Sequence, residues 1–353
     1  MLVNLVGGKL LSRIETVLLV VHILRFSGIL IPLACLSDHK PKEEVFLQFL
    51  NSGRFSTQGL SWFVGMTSCA FGFAGGDAAV HMSEEVANPS CVIPHAIMLS
   101  VLRDGCLGFA MLIAVLFCVG NIEDALNSPT RYPVMEIFHN TTGSLPGSML
   151  MCSILLIIYC CSLMGLRAAA SRQLWSFSRD RGVRVSIGRV SLSQALPVQS
   201  VILTVVVSSM LALINIGSFV SLDDILSMAV SALYLSYLMF SILLCYRRIN
   251  GDISQYVDSD DDVINMPGAK LAWGPFHCPG VWGIAINAFA ILYIIIVVVF
   301  NFWPSEVRPS VGNMNWSVVG VGGSSFLTSY TTLHVPDTSI PGLSGNCRYK
   351  QHA

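Results

Sequence analysis

Residues 60–94 read LSWFVGMTSCAFGFAGGDAAVHMSEEVANPSCVIP. The stretch begins as an apolar helix of a length that enters a bilayer. Its middle then crowds Gly72, Gly75 and Gly76 together and sets Asp77 directly after them. A carboxylate near the centre of a membrane helix costs about 2.5–3.5 kcal/mol on insertion scales, and each helical glycine costs about 1 kcal/mol relative to alanine. A lipid-facing anchor gains nothing from either. A helix that breaks inside the membrane frees backbone N–H and C=O groups, which are tolerated only where they line a protein-enclosed cavity. Discontinuous helices at the midplane are the signature of transporter binding sites. The stretch therefore predicts half of a substrate site.

The rest of the chain supports a membrane setting. Of its 353 residues, 53% are hydrophobic and 12% charged, against about 25% charged in a soluble domain. The basic residues are spread among loops, which argues against nucleic acid as a partner. Seven of the eleven cysteines (Cys35, Cys69, Cys118, Cys152, Cys160, Cys161 and Cys245) fall inside apolar runs, and no CxxC pair occurs. They read as small apolar side chains and not as a zinc or disulfide framework. The first apolar run is too long for a cleaved leader.

Seven spans are expected, over 15–36, 60–82, 96–119, 147–166, 197–220, 224–246 and 281–303, followed by an irregular, disordered tail over 304–353. The predicted fold class is an all-α, multi-pass transmembrane bundle. The first span carries His22 and Arg25, ionisable groups of the kind that mark function inside a membrane unless they face the bundle and bond to neighbours. Lys and Arg set the orientation. With the N-terminus in the cytoplasm, the inside holds Lys9, Arg13, Arg103, Arg167, Arg172, Arg179, Arg181, Arg184, Arg189, Arg247, Arg248 and Lys270. The outside then holds Lys40, Lys42, Arg54, Arg131 and Arg308. This places the Asn140-Thr141-Thr142 sequon outside and opposes a seven-span receptor, whose N-terminus would be outside. The acidic group Asp258, Asp260, Asp261 and Asp262 reads as a solvated loop. P-loop, HExxH, GxSxG and nucleotide fingerprints are missing, so neither an enzyme nor ATP-driven transport is expected, and no cofactor is implied.

The run FGFAGGDAAVHMSEEVANPSCVIPHAI (71–97) resembles the sixth helix and following loop of amino-acid permeases of the amino acid–polyamine–organocation superfamily, above all its fungal GABA, amino-acid and choline branch. Ser171-Arg172-Gln173-Leu174-Trp175-Ser176-Phe177-Ser178-Arg179-Asp180-Arg181-Gly182 is similar to the loop after that family's eighth helix. Leu213-Ile214-Asn215-Ile216-Gly217-Ser218 is similar to the end of its ninth, and Trp273-Gly274-Pro275 and Phe302-Trp303-Pro304 bracket its eleventh. The resemblance implies part of an inverted-repeat bundle of five-helix repeats. The first span here answers to family helix five, helices one to four are missing, and the twelfth begins at Met314 and dissolves. It further implies secondary transport of an amino acid, GABA or a choline-like amine across the plasma membrane, with protons as the coupling ion. A truncated, non-transporting permease product is the alternative.

The family resemblance, more than spacing, assigns the site. Phe71 would cover the substrate, Gly75 would be the key glycine, and Asp77 would anchor the break. Carbonyls of Phe73 and Ala74 would accept from a substrate ammonium. N–H groups of Gly76, Asp77 and Ala78, at the positive end of the lower half-helix, would suit a carboxylate. Three roles stand open for Asp77: binding a cationic substrate, carrying a coupled proton, or capping the half-helix. Glu84 and Glu85 are a candidate inner gate against Arg172 and Arg179. His81 and Glu85, four apart, lack a third ligand nearby for a metal. Ser231, Tyr234 and Tyr237 of the sixth span either face the site or pack between helices.

Overall fold

The structure is a computed structural model. It describes residues 8–120, 122–126, 128, 130, 132–180, 182–191, 196–217, 219–254, 271–310 and 314–334. The acidic group at 258–262 and residues 335–353 lie outside them. In chain order the helices are α1 (Gly8–Leu36), α2 (Lys42–Leu47), α3 (Gln58–Gly72), a 3-10 segment (Gly76–Glu85), α4 (Pro89–Cys118), α5 (Ile122–Leu126) and α6 (Pro133–Thr142). After them come α7 (Leu145–Arg179), a short 3-10 turn (Val185–Gly188), α8 (Val198–Gly217), α9 (Phe219–Ile249), α10 (Gly280–Asn301) and α11 (Ser317–His334). Among the described residues the only β-type pairings are isolated bridges, Ser191 with Leu196 and Ser254 with Ala272.

Among the described residues, six helical stretches are long and apolar enough to cross a membrane: Thr16–Leu36, Gln58–Ser83, Pro89–Cys118, Leu145–Arg179, Asp224–Ile249 and Gly280–Asn301. The described apolar part of α8, Val198–Ile214, is shorter. Large apolar side chains point outward along these helices. Val281, Trp282, Phe289 and Met239 are each more than 70% exposed. On a soluble protein such a surface would aggregate, whereas in lipid it is the solvent-facing side.

Local sequence explains the ends. Thr57 caps α3 by accepting from the Leu60 N–H (3.3 Å), and Ser144 caps α7 by accepting from Gly147 (3.3 Å), as short hydroxyl side chains do at helix starts. Two departures from the sequence reading stand out. The basic stretch from Arg167, expected as a link, continues α7 to Arg179, because Ala168, Ala169 and Ala170 favour helix and Ala168 and Ala169 pack in the interior. The stretch 304–353, expected to be irregular, contains α11, whose start is tied down when Asp224 accepts from the Trp316 N–H at 3.1 Å.

Two cores hold the bundle. One gathers Ile29 and Leu33 of α1, Cys118 of α4, Ile137 and Phe138 of α6, and Met151 of α7. The other gathers Ala70 of α3, Val230 and Tyr234 of α9, and Ile294, Val297 and Val298 of α10. The second core lies directly against the end of α3.

Candidate substrate site

The chain does break where the glycines crowd. α3 stops at Gly72, with Phe73 N–H bonding back to Ala70 O (3.2 Å) and Ala74 N–H to Phe71 O (3.0 Å). Gly75 then turns left-handed, at φ +92° and ψ 4°. A Cβ there would meet nothing closer than Leu166 Cδ2 at 3.9 Å. Backbone conformation, not space, is what requires glycine at this position. The chain resumes as a ten-residue 3-10 segment, Gly76–Glu85, opened by the Ala78 N–H to Gly75 O bond (3.0 Å). Runs of 3-10 helix beyond three or four residues are uncommon, and they mark hinges or strain.

The break leaves polar backbone facing side chains. Tyr234, buried in the second core, donates its hydroxyl to Ala70 O at 3.0 Å. That bond satisfies one carbonyl at the end of α3. Its neighbour Tyr237, one turn on and edge-on to it at 5.8 Å between ring centres, lies near the Asp77 carboxylate. Asp77 Oδ2 also contacts His81 Nε2 at 3.2 Å, with about a quarter of each side chain exposed. The Gly76 and Asp77 N–H groups sit at the first positions of the 3-10 segment, where no preceding turn supplies acceptors. Phe71 and Phe73 are half-exposed. The Phe73 ring lies over Gly105 of α4, close enough that a Cβ there would sit 3.7 Å from it.

The structure therefore brings Phe71, Phe73, Ala74, Gly75, Gly76, Asp77 and Ala78 to one interruption, with Tyr234 and Tyr237 beside it. Ser231 turns elsewhere: fully buried, it accepts from the Asn301 amide, which also donates to Ser227 O at 2.7 Å. Of the candidate gate, the Glu84 and Glu85 side chains lie outside the described residues, and so does the His81–Glu85 pair. Arg172 is buried and donates to Ser171 Oγ at 3.3 Å. Arg179 lies over the Trp175 ring at 4.9 Å and near Asp180 at 3.9 Å. The Asp77–His81 contact was missed in sequence, although its spacing of four residues was a signal for it. The Tyr234–Ala70 bond spans 164 positions and carried no signal at all.

His22 and Arg25 meet partners across helices. Arg25 lies 3.2 Å from His22 Nδ1, His22 Nε2 lies 3.9 Å from Asp104 Oδ1 on α4, and Asp104 also holds Arg103 at 2.9 Å. His22, Arg25 and Asp104 line a cavity of about 350 Å³ with Tyr159, separate from the break.

Comparison with known proteins identifies the family. A model of the amino acid permease family matches residues 1–324. A provisionally named amino acid/polyamine transporter of Macrophomina phaseolina is 30% identical over 87% of this chain and 65% of its own length. The choline transporter of Saccharomyces cerevisiae is 26% identical over 93% of this chain and 54% of its own. The GABA-specific permease of the same yeast is 25% identical over 70% and 40%. The chain thus spans less than two thirds of the length of these curated relatives. No solved structure matches it. With the family matched over most of its length and six helices fit to cross a bilayer, the chain is a multi-pass membrane protein of the amino acid permease family.

Proposed function

We propose that the chain serves secondary transport of an amino acid or related amine, coupled to protons across the plasma membrane with the N-terminus in the cytoplasm, and that the substrate binds at the break between α3 and the 3-10 segment. The observation that carries this reading is the left-handed turn at Gly75, which parts the two half-helices and sets Asp77 at the start of the lower one. Carbonyls of Phe73 and Ala74 accept from the substrate ammonium. The free N–H groups of Gly76 and Asp77 receive a carboxylate at the positive helix end, while the Ala78 N–H, assigned to the site by the sequence, is taken by Gly75 O. Phe71 covers the ligand, with a cation–π contribution of about 0.5–2 kcal/mol. The named roles of the relatives, amino acid/polyamine, choline and GABA transport, support an amine-bearing substrate. The 3-10 segment packs against α7, the helix carrying Arg172 and Arg179, and Glu84 and Glu85 at its end close the inner side against them.

The test is equilibrium binding of radiolabelled choline, GABA and putrescine to the purified full chain in nanodiscs, with Asp77→Asn and Phe71→Ala beside the wild type. At least one ligand should bind saturably and lose about tenfold or more in each variant, the scale of one charge-assisted or cation–π contact. Binding that neither variant alters would remove the break as the substrate site. Uptake into proteoliposomes along a pH gradient tests coupling, and uptake indifferent to the gradient would exclude protons.

A further inference from the structure

A second cavity, of about 330 Å³, lies away from the break, where α3, α9, the end of α10 and the approach to α11 meet. Its size is within the range that holds a small ligand. Asp224, Ser227, Thr67 and Asn301 give its wall a polar side, and Phe300 and Trp303 an aromatic one. No Lys, Arg or His lines it, so Asp224 is its uncompensated charge among the described residues. One Asp224 oxygen accepts from the Trp316 N–H. The other makes no hydrogen bond among the described residues.

Two further acceptors lack partners. Thr67 Oγ1 and Asn301 Oδ1 are shielded in the wall with none, and Asn301 as a whole is 2% exposed. The amide orientation is fixed by its neighbours. Asn301 Nδ2 faces the Ser227 carbonyl at 2.7 Å, which can only accept, so Oδ1 must be the atom left over. Buried acceptors without donors are rare, and each calls for a donor. The rings add a cation-favouring face: Phe300 stacks on Phe63 at 5.0 Å and leans on Trp303 at 5.8 Å. A free carboxylate oxygen, donor-seeking oxygens and aromatic faces, with no cation beside them, describe one class of ligand.

We infer that this cavity is a second binding site, for a small primary alkylammonium ion, distinct from the substrate site at the break. The ammonium donates to the free Asp224 oxygen and, as Thr67 turns its hydroxyl to the cavity, to Thr67 Oγ1, and the alkyl chain lies against Phe300 and Trp303. Valerate, an anion of similar length, has no donor to offer and meets the Asp224 charge.

The test uses the full chain in nanodiscs, titrated with n-butylammonium and, separately, with valerate, and read by tryptophan fluorescence. Saturable quenching by n-butylammonium alone is expected, lost in Trp303→Phe. Asp224→Asn keeps the oxygen that holds Trp316 and should weaken binding about tenfold or more, the loss of a charge-assisted contact. Thr67→Val, of similar volume, should weaken it severalfold with an unchanged melting curve. Asp77→Asn should leave it unaltered, which separates this site from the one at the break. The inference falls if no saturable n-butylammonium signal exists, if valerate binds equally, or if folded Asp224→Asn and Thr67→Val bind as the wild type does.

Discussion

Two places in this bundle put ionisable groups inside apolar helices, and they do so differently. Between α1 and α4 the helices are continuous. His22, Arg25, Arg103 and Asp104 satisfy one another side chain to side chain, next to the core around Leu33 and Phe138. At the end of α3 the backbone itself is interrupted. There Asp77 meets His81 and Tyr237, and the loose backbone groups are only partly taken up, one of them by Tyr234. A polar cluster closed on itself stabilises a fold. An open one, with backbone donors and acceptors left over, has capacity for a ligand.

The sharpest way to break this comparison is to remove each carboxylate. Asp104→Leu strands His22, Arg25 and Arg103 without their anion. Asp104 is nearly half exposed, so the loss should cost about 1 kcal/mol of stability, visible as a modest fall in the thermal unfolding midpoint of the detergent-solubilised chain. Amine binding by the folded fraction should persist. Asp77→Leu should differ in binding, which it abolishes, at a stability cost of similar size, about 1 kcal/mol. If both variants bind alike, the two places do not differ in kind.

Glycine substitution sharpens it next. Gly75→Ala forces a side chain into the left-handed region and should destabilise by about 1–2 kcal/mol, with loss of binding. Gly72→Ala, on the last turn of α3 with open space around its Cβ position, should be neutral or stabilising by up to about 1 kcal/mol. Equal effects at the two positions would mean that flexibility, and not a fixed left-handed turn, is what the sequence encodes there.

Much of this was legible in the sequence, for physical reasons that can be named. Apolar runs of membrane length announce spans, and Gly72, Gly75, Gly76 and Asp77 announce a break because no lipid-facing helix tolerates them together. The helical run past Arg167 was hidden by its charges, although three alanines favoured it. α11 was hidden by Gly322, Gly323 and a run of hydroxyl residues, which lower helix propensity without forbidding a helix. The partners at the break were out of reach for another reason. Which face of α9 meets α3 is decided by packing between segments more than 150 residues apart, and periodicity along one chain does not carry that information.

The smallest of the expected effects tests that long-range contact. Tyr234→Phe deletes one hydroxyl and leaves the ring in the core with Val230, Ile294 and Val297. Ala70 O then keeps only its bond from the Phe73 N–H. A neutral hydrogen bond contributes about 0.5–1.5 kcal/mol, so the unfolding midpoint should fall modestly. Because the hydroxyl pins the last turn of α3, amine binding at the break should weaken severalfold at the same time. Tyr237→Phe, facing Asp77 instead of the backbone, should leave the midpoint nearly unchanged and alter binding alone. A Tyr234→Phe chain that loses stability but binds as before would make Tyr234 a packing residue of the second core and nothing more. In that outcome the open end of α3 would be held by its left-handed turn at Gly75 without help from α9.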